Sequence, residues 1–268
     1  MQDKLDDWFA EDFGKGDFTS QAVVDNQICE ARVTGGPGII SGLEIICNLL
    51  ERHNIHVSTN YKDGDSIGSD LILNLKGKAH DILATERLSL NILSHLSGIS
   101  THTNKIVKIA KKVNPKIQIL ATRKTLPGLR ELEKEAVVHG GGATHRMRLD
   151  DAILIKDNHL KLSKDIEKAI NSSREKHPNL MLEVEADNEE QAIEIAKCGA
   201  DRVMLDNFTP KEASETIKKL KQFSNIEVEI SGGITIDNVA DYAEHADFIS
   251  LGSLTMSSKP VDFSLHVI

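Results

Sequence analysis

Residues 121–160 read ATRKTLPGLRELEKEAVVHGGGATHRMRLDDAILIKDNHL, and this stretch decides how the rest of the chain is understood. Arg123-Lys124, His145-Arg146, Arg148 and Lys156 stand among glycines and short apolar runs, so cations recur where backbone can approach an anion closely. A pocket for a small, multiply charged acid is written this way.

Downstream, apolar runs of four to six residues alternate with amphipathic helical segments. Strand candidates are 117–122, 152–156, 181–186, 202–207, 226–231 and 248–253. Helical candidates lie between them, such as EEQAIEIAKCGA and KEASETIKKLKQF. A β-α-β alternation implies a parallel sheet with right-handed crossovers. Polar residues fall at the strand ends: Arg123-Lys124 past the first, then Lys156, Glu185, Asp206, Ser231-Gly232-Gly233 and Gly252-Ser253. Residues so placed mark an α/β barrel enzyme with its site at the carboxyl ends of the strands.

Upstream, residues 27–79 carry short β-branched runs (ICEARVTG, GIISGL, HVSTNY, LILNLKGKA), broken by the turns GGPG and KDGD and by one helical stretch, LEIICNLLERH. This is the pattern of a small α+β domain with an antiparallel sheet. Before it, LDDWFAEDF is amphipathic and GKGDFTS reads as a turn into a capped segment. Leu83, Leu90, Leu93 and Leu96 predict one or two helices over 81–113, with Arg87 near their start. Arg87 by itself reads as a solvated charge or a local ion pair. The expected domains are 1–113, a sandwich with linking helices, and 114–255, a barrel. The tail 256–268 is a candidate to pack back on the first.

A length of 268 residues would hold one barrel and one smaller domain. The net charge of −9 speaks against nucleic acid as a partner but not against an anionic substrate, which needs only a few placed cations. No apolar run approaches the roughly 20 residues that span a bilayer. Three scattered cysteines, and no basic segment leading into an apolar core at the start, predict a reducing cytoplasm.

Cations buried in a barrel mouth need acceptors. Glu185 or Asp206 could satisfy any one of Arg123, Lys124, Arg146 and Lys156, but two acids cannot match four cations, and the excess favours an anionic ligand. Glu185 and Asp206 are also candidate Mg²⁺ ligands, directly or through water. The loops 231–233 and 251–253 suit phosphate, although glycine after a strand is also ordinary turn chemistry. His139, His145 and His159 lack a zinc spacing.

These residues resemble the quinolinate phosphoribosyltransferase family. The match lies in TRKT-PGLR-LEK-AV (122–138), GGG-x-x-HR (140–146) and LIKDNH (154–159). Support comes from ED-x-G-x-GD-x-T (11–19), ER-x-x-x-N (86–91), LSGI (96–99), EVE (183–185), MLDN (204–207) and SGGI (231–234). The resemblance runs over nearly the whole chain. It implies an N-terminal open-faced sandwich and an incomplete α/β barrel. The implied assembly is a homodimer, or a higher homo-oligomer, in which each small domain roofs its partner's barrel.

The implied reaction joins quinolinate and phosphoribosyl pyrophosphate to give nicotinate mononucleotide, pyrophosphate and CO2, with Mg²⁺, in NAD biosynthesis. By the same resemblance Arg87 reaches a neighbouring subunit's quinolinate, Arg123, His145 and Arg146 hold its two carboxylates, and Thr122 is a substrate-binding residue. Lys124 and Lys156 serve substrate or diphosphate, Glu185 and Asp206 face the ribose and its metal, and Ser231, Gly232, Gly233, Gly252 and Ser253 cradle the 5'-phosphate. Ala121, Thr144 and Arg148 depart from the family pattern without removing any of that set. A paralogue acting on another aromatic base and a non-catalytic anion-binding barrel are the competing readings; the retained acids argue against the latter.

Overall fold

The computed structural model describes residues 2–223 and 226–268. The chain forms two compact units: residues up to His102 with Val138–Gly141 and Ser258–Ile268, and Thr103–Val137 with Gly142–Ser257.

The first unit opens with α1 (Gln2–Phe13) and α2 (Phe18–Val23), the latter capped by Asp17, whose carboxylate accepts from Ser20 N at 3.0 Å. There follow β1 (Ile28–Gly35), β2 (Gly38–Ile39), α3 (Leu43–Arg52), β3 (His56–Ser58), β4 (Ser66–Ile67), β5 (Asp70–Lys78) and the start of α4 (Ala79–Val113). In α3, Leu43, Ile46, Leu49 and Leu50 recur at helical spacing and are buried. They share a core with Val33, Leu73, Leu75 and Leu93.

The second unit runs through β6 (Gln118–Ala121), α5 (Arg130–His139), β7 (Ala143–Thr144), β8 (Ile153–Ile155), α6 (Asp157–Ser163), α7 (Ile166–Lys176), β9 (Leu182–Ala186), α8 (Glu189–Lys197), β10 (Arg202–Asp206), α9 (Pro210–Leu220), β11 (Glu227–Ser231), α10 (Val239–Ala243), β12 (Phe248–Leu251) and α11 (Ser253–Met256). Thr209, Pro210 and Glu212 write the start of α9 as a capping box with proline in its first turn. The chain then returns to the first unit as β13 (Phe263–Val267).

The first unit's main sheet has the order β13-β1-β5-β3, all antiparallel. Along β1, Ala31 and Val33 face the core while Glu30 and Arg32 are exposed, so one side of the sheet is covered and the other open. The second unit holds a parallel seven-stranded sheet, order β7-β6-β12-β11-β10-β9-β8. Its end strands β7 and β8 are not paired with each other among the described residues, as an incomplete barrel requires. The expected α/β class, with an α+β unit and a curled parallel sheet, is the observed one.

All six expected barrel strands form. The two-residue β7, hidden between a glycine run and His145, is an addition. The 81–113 segment is one helix of 35 residues, and the units divide inside it, after His102, rather than at 113. A continuous helix leaves no mark in the sequence where it passes from one unit to the other; the visible change in writing comes only where it ends.

Candidate active site

Two-residue alternation carries the chemistry. On β9, β10 and β11 the residues of one parity pack toward the helices (Val184, Val203, Leu205, Val228, Ile230). The other parity turns polar and charged groups inward: Glu183 and Glu185; Arg202 and Asp206; Glu229 and Ser231, with Glu227 exposed at the start of β11. Parallel register sets Glu183 beside Arg202 and Asp206 beside Ser231.

A cavity of about 730 Å³ opens in the second unit, large enough for two small substrates. Thr122, Arg123, Lys124, His145, Arg146, Lys156, Glu185, Asp206, Ser231, Gly232, Gly233, Gly252 and Ser253 all line it. Every barrel residue of the inferred site set is therefore in one place, whereas Arg148 lies outside the cavity, 74% exposed and 3.8 Å from Asp150. Arg87 belongs to the first unit, where its side chain is 63% exposed and lies 3.7 Å from Glu86.

Lys156 Nζ donates to Glu185 Oε2 at 2.6 Å. Asp206 accepts from Asn207 Nδ2 at 2.6 Å, and burial, then the neighbouring Glu185, holds its carboxyl above the usual carboxylate range. Arg123 differs: its Nε is buried without a hydrogen-bond partner, as is Ser253 Oγ. Gly232 and Gly233 have φ of +87° and +62°. A Cβ on Gly232 would lie 2.8 Å from Asn207 N and 2.3 Å from its Oδ1, so only glycine fits that turn.

His145 turns away from solvent. Its Nδ1 accepts from Arg146 N at 2.8 Å, so the ring proton resides on Nε2, which meets Glu183 Oε2 at 2.7 Å. Burial pushes the imidazole's pKa down, in keeping with a neutral ring. Both ring nitrogens are thus engaged within the protein.

Below it lie groups that were not singled out from sequence. Glu183 and Glu229 are fully buried, and burial raises both carboxyls well above their ordinary range. Arg202 NH1 stands 3.2 Å from Glu229 Oε2 and NH2 2.7 Å from Glu227 Oε2, with the guanidinium over the Phe248 ring. His145, Glu183 and Glu229 present ligand atoms within 4.8 Å of one another, and the Arg202 guanidinium brings a positive charge to Glu229 there. Glu229 reaches the cavity floor, as do Ser250 and Met204. The signal for them was the alternation in EVE and RVMLD, where the charged residues fall at positions of one parity in otherwise apolar strands.

Family models for the quinolinate phosphoribosyl transferase N-terminal and C-terminal domains match residues 17–97 and 99–266. A probable nicotinate-nucleotide pyrophosphorylase [carboxylating] of Archaeoglobus fulgidus is 41% identical over 258 residues, covering 94% of this chain and 98% of the relative. The nicotinate-nucleotide pyrophosphorylase [carboxylating] of Homo sapiens is 34% identical, covering 98% and 90%. Among solved structures, NadC from Streptococcus pyogenes superposes with a TM-score of 0.93 at 33% identity, over all of this chain and 96% of that one. Agreement in sequence and in backbone over both units leaves one conclusion: the chain belongs to the quinolinate phosphoribosyl transferase family.

Proposed function

We propose that the protein is a decarboxylating quinolinate phosphoribosyltransferase of NAD biosynthesis, converting quinolinate and phosphoribosyl pyrophosphate to nicotinate mononucleotide, pyrophosphate and CO2. The observation that carries this reading is the buried, unpartnered Arg123 Nε in a cavity that also holds Lys124, Arg146 and Lys156. A buried guanidinium N–H without an acceptor is costly, and a dicarboxylate supplies two acceptors at once.

Arg123 and Arg146 take the two carboxylates, with Thr122 beside them and the edge of the His145 ring as a wall. Held so, the pyridine nitrogen faces the ribose carbon, and its lone pair forms the new C–N bond as pyrophosphate leaves with the old bond's electrons. Lys124 and Lys156 neutralise charge on the departing diphosphate. The carboxylates of Glu185 and Asp206 stabilise the oxocarbenium character of the ribose. The ring nitrogen, now quaternary, draws electrons from the C2–carboxylate bond; CO2 departs and C2 takes a proton. Ser231, Gly232, Gly233, Gly252 and Ser253 offer backbone N–H and hydroxyl groups to the 5'-phosphate, the residues of positive φ forming a concave turn.

Glu185 and Asp206 fit Mg²⁺: both are hard oxygen donors at neighbouring strand ends, and burial together with the Glu185 charge, which lift Asp206, would be offset by a cation. When bound, the ion would neutralise diphosphate charge. A homodimer with a shared site is supported by the exposure of Arg87 outside the barrel unit. A cytoplasmic location is supported by three free cysteines, and no described helix is long and apolar enough to cross a membrane.

The test is direct: purified protein with Mg²⁺ releases CO2 from quinolinate only when phosphoribosyl pyrophosphate is present. Turnover with nicotinate but not with quinolinate would overturn the substrate assignment. For the shared site, mixing Arg87→Ala and Lys156→Ala proteins restores partial activity; mixed dimers that form yet stay inactive would refute it.

A further inference from the structure

The strand ends account for the acids and glycines of the site, but the family motif LEK at 132–134 is left without a task. It lies on α5, and there Glu133 and Lys134 are 0% and 1% exposed. Two full charges buried side by side on a short helix call for a reason, since an apolar pair would fold at lower cost.

Lys134 Nζ donates to the carbonyl oxygens of His145 at 2.6 Å and of Arg146 at 2.7 Å. One helical turn earlier, Arg130 donates from Nε to Thr125 Oγ1 and from NH1 to the Met147 carbonyl, each at 3.1 Å. Glu133 Oε2 accepts from Leu126 N at 3.1 Å. Positions 130, 133 and 134 share one helix face. That face ties together two loops: the one just past Arg123-Lys124 and the one that carries His145-Arg146.

We propose that Lys134, seconded by Arg130, is a positioning residue that sets the direction of the Arg146 guanidinium and thereby the grip on the dicarboxylate. An ammonium held by two consecutive carbonyls fixes the peptide plane between them. The plane's orientation fixes where the Arg146 side chain departs. The Arg146 amide is held from the other side by His145 Nδ1, and its NH1 is steadied on the Ala152 carbonyl at 3.0 Å. His145 belongs to this mount, with its Nε2 proton on Glu183. Arg146 spends one N–H on Ala152 and carries five.

The charge on Lys134 is faced by Arg130, Arg123 and Arg146 and by Asp151, with burial the strongest influence on it, and its pKa is lowered to about 8. A buried ammonium whose donors are spent on two backbone carbonyls is a constrained part, consistent with a post whose task is geometry.

The inference rests on the proposed reaction, and its test separates the two. Wild-type protein releasing no CO2 from quinolinate would defeat the reaction. Given wild-type turnover, Lys134→Met raises the KM for quinolinate about tenfold or more, leaving the KM for phosphoribosyl pyrophosphate within about twofold, because only one substrate's anchor is misaimed. In an Arg146→Ala background the same substitution adds less than about twofold, since its effect runs through that arginine. Equal changes in both KM values, or effects of the two substitutions that multiply, would overturn the proposal. Should Lys134→Met fail to fold, Arg130→Met, at a partly exposed position, decides: a rise of about threefold confined to quinolinate supports the positioning face, and an unchanged quinolinate KM sinks it.

Discussion

The mouth of the barrel and the layer beneath it hold the same kinds of residue and treat them in opposite ways. In the mouth, Arg123 keeps a buried Nε without a partner, Ser253 Oγ likewise, and Lys124 lies exposed. In the layer beneath, Lys134 donates to two carbonyls, Arg202 to Glu227 and Glu229 with its guanidinium over a phenylalanine ring, and His145 is held by Glu183 and a backbone amide. Among the cations the charge is comparable and the degree of satisfaction is not; of the acids in the lower layer, Glu183 and Glu229 each keep one buried oxygen, Oε1, without a partner. A buried cation whose donors are engaged within the protein is scaffold, and one whose donors are left open at a cavity is waiting for a ligand. Lys156 stands between these cases, paired with Glu185 at 2.6 Å yet half exposed.

Substitution of the intermediate residue is the strongest way to break the contrast. Lys156→Met removes a cation from beside the leaving group and strands the buried Glu185 carboxylate. The expected loss in kcat is about a thousandfold, measured as CO2 release. Folding is expected to survive because the position is at the mouth. If activity fell by less than tenfold, Lys156 would belong with the scaffold.

Arg123 comes next. Arg123→Gln removes bonds that form only with a ligand, so the KM for quinolinate should rise by roughly a hundredfold, on the order of two charge-assisted hydrogen bonds. The thermal midpoint should move little, because the guanidinium Nε has no partner to lose in the free protein. A large drop in midpoint would move Arg123 into the scaffold class. The glycine pair sharpens the same boundary at the phosphate loops. Gly232→Ala forces a Cβ against Asn207 backbone at a φ of +87°, whereas Gly252→Ala meets only the flexible Lys124 side chain, with its Cδ 2.7 Å away. We expect the first to destabilise the protein by about 1–3 kcal/mol and to weaken phosphoribosyl pyrophosphate binding. The second should do much less in denaturant melts and in the KM for that substrate.

The contrast also explains how far the sequence could be followed. Strand ends announce themselves, because a polar residue after an apolar run is conspicuous; hence Lys156, Glu185 and Asp206 and the glycine turns were legible, and all line the cavity. The fold followed from strand and helix periodicity for the same reason. The lower layer was harder. Glu183, Arg202 and Glu229 lie within strands, where a charged residue at alternate positions also describes a sheet with one wet face, and only closure of the sheet turns that face inward. Lys134 reads as an ordinary exposed lysine on an amphipathic helix until the 145–147 loop is folded over it. The two-residue β7 falls below the length at which periodicity can speak.

The mildest prediction concerns stability alone and probes the lower layer where it is most protonated. Glu183 and Glu229 are both raised above the ordinary carboxylate range, chiefly by burial and, for Glu229, also by Glu183; Arg202, His145, Lys156, Arg146 and Ser250 pull in the opposite direction on one or the other. A carboxyl whose folded pKa exceeds its unfolded value binds a proton on folding. Its contribution is fully present below the unfolded pKa and is lost as pH rises through the folded one, here from near 4.5 to about 7. The thermal midpoint should therefore decline as pH is raised across that window. In Glu183→Gln the decline should flatten, because a neutral amide replaces the titrating group while keeping an acceptor for the His145 Nε2 proton. A wild-type midpoint that rises across the same window would mean the carboxyls are ionised in the folded state, and that Arg202 and His145 outweigh burial.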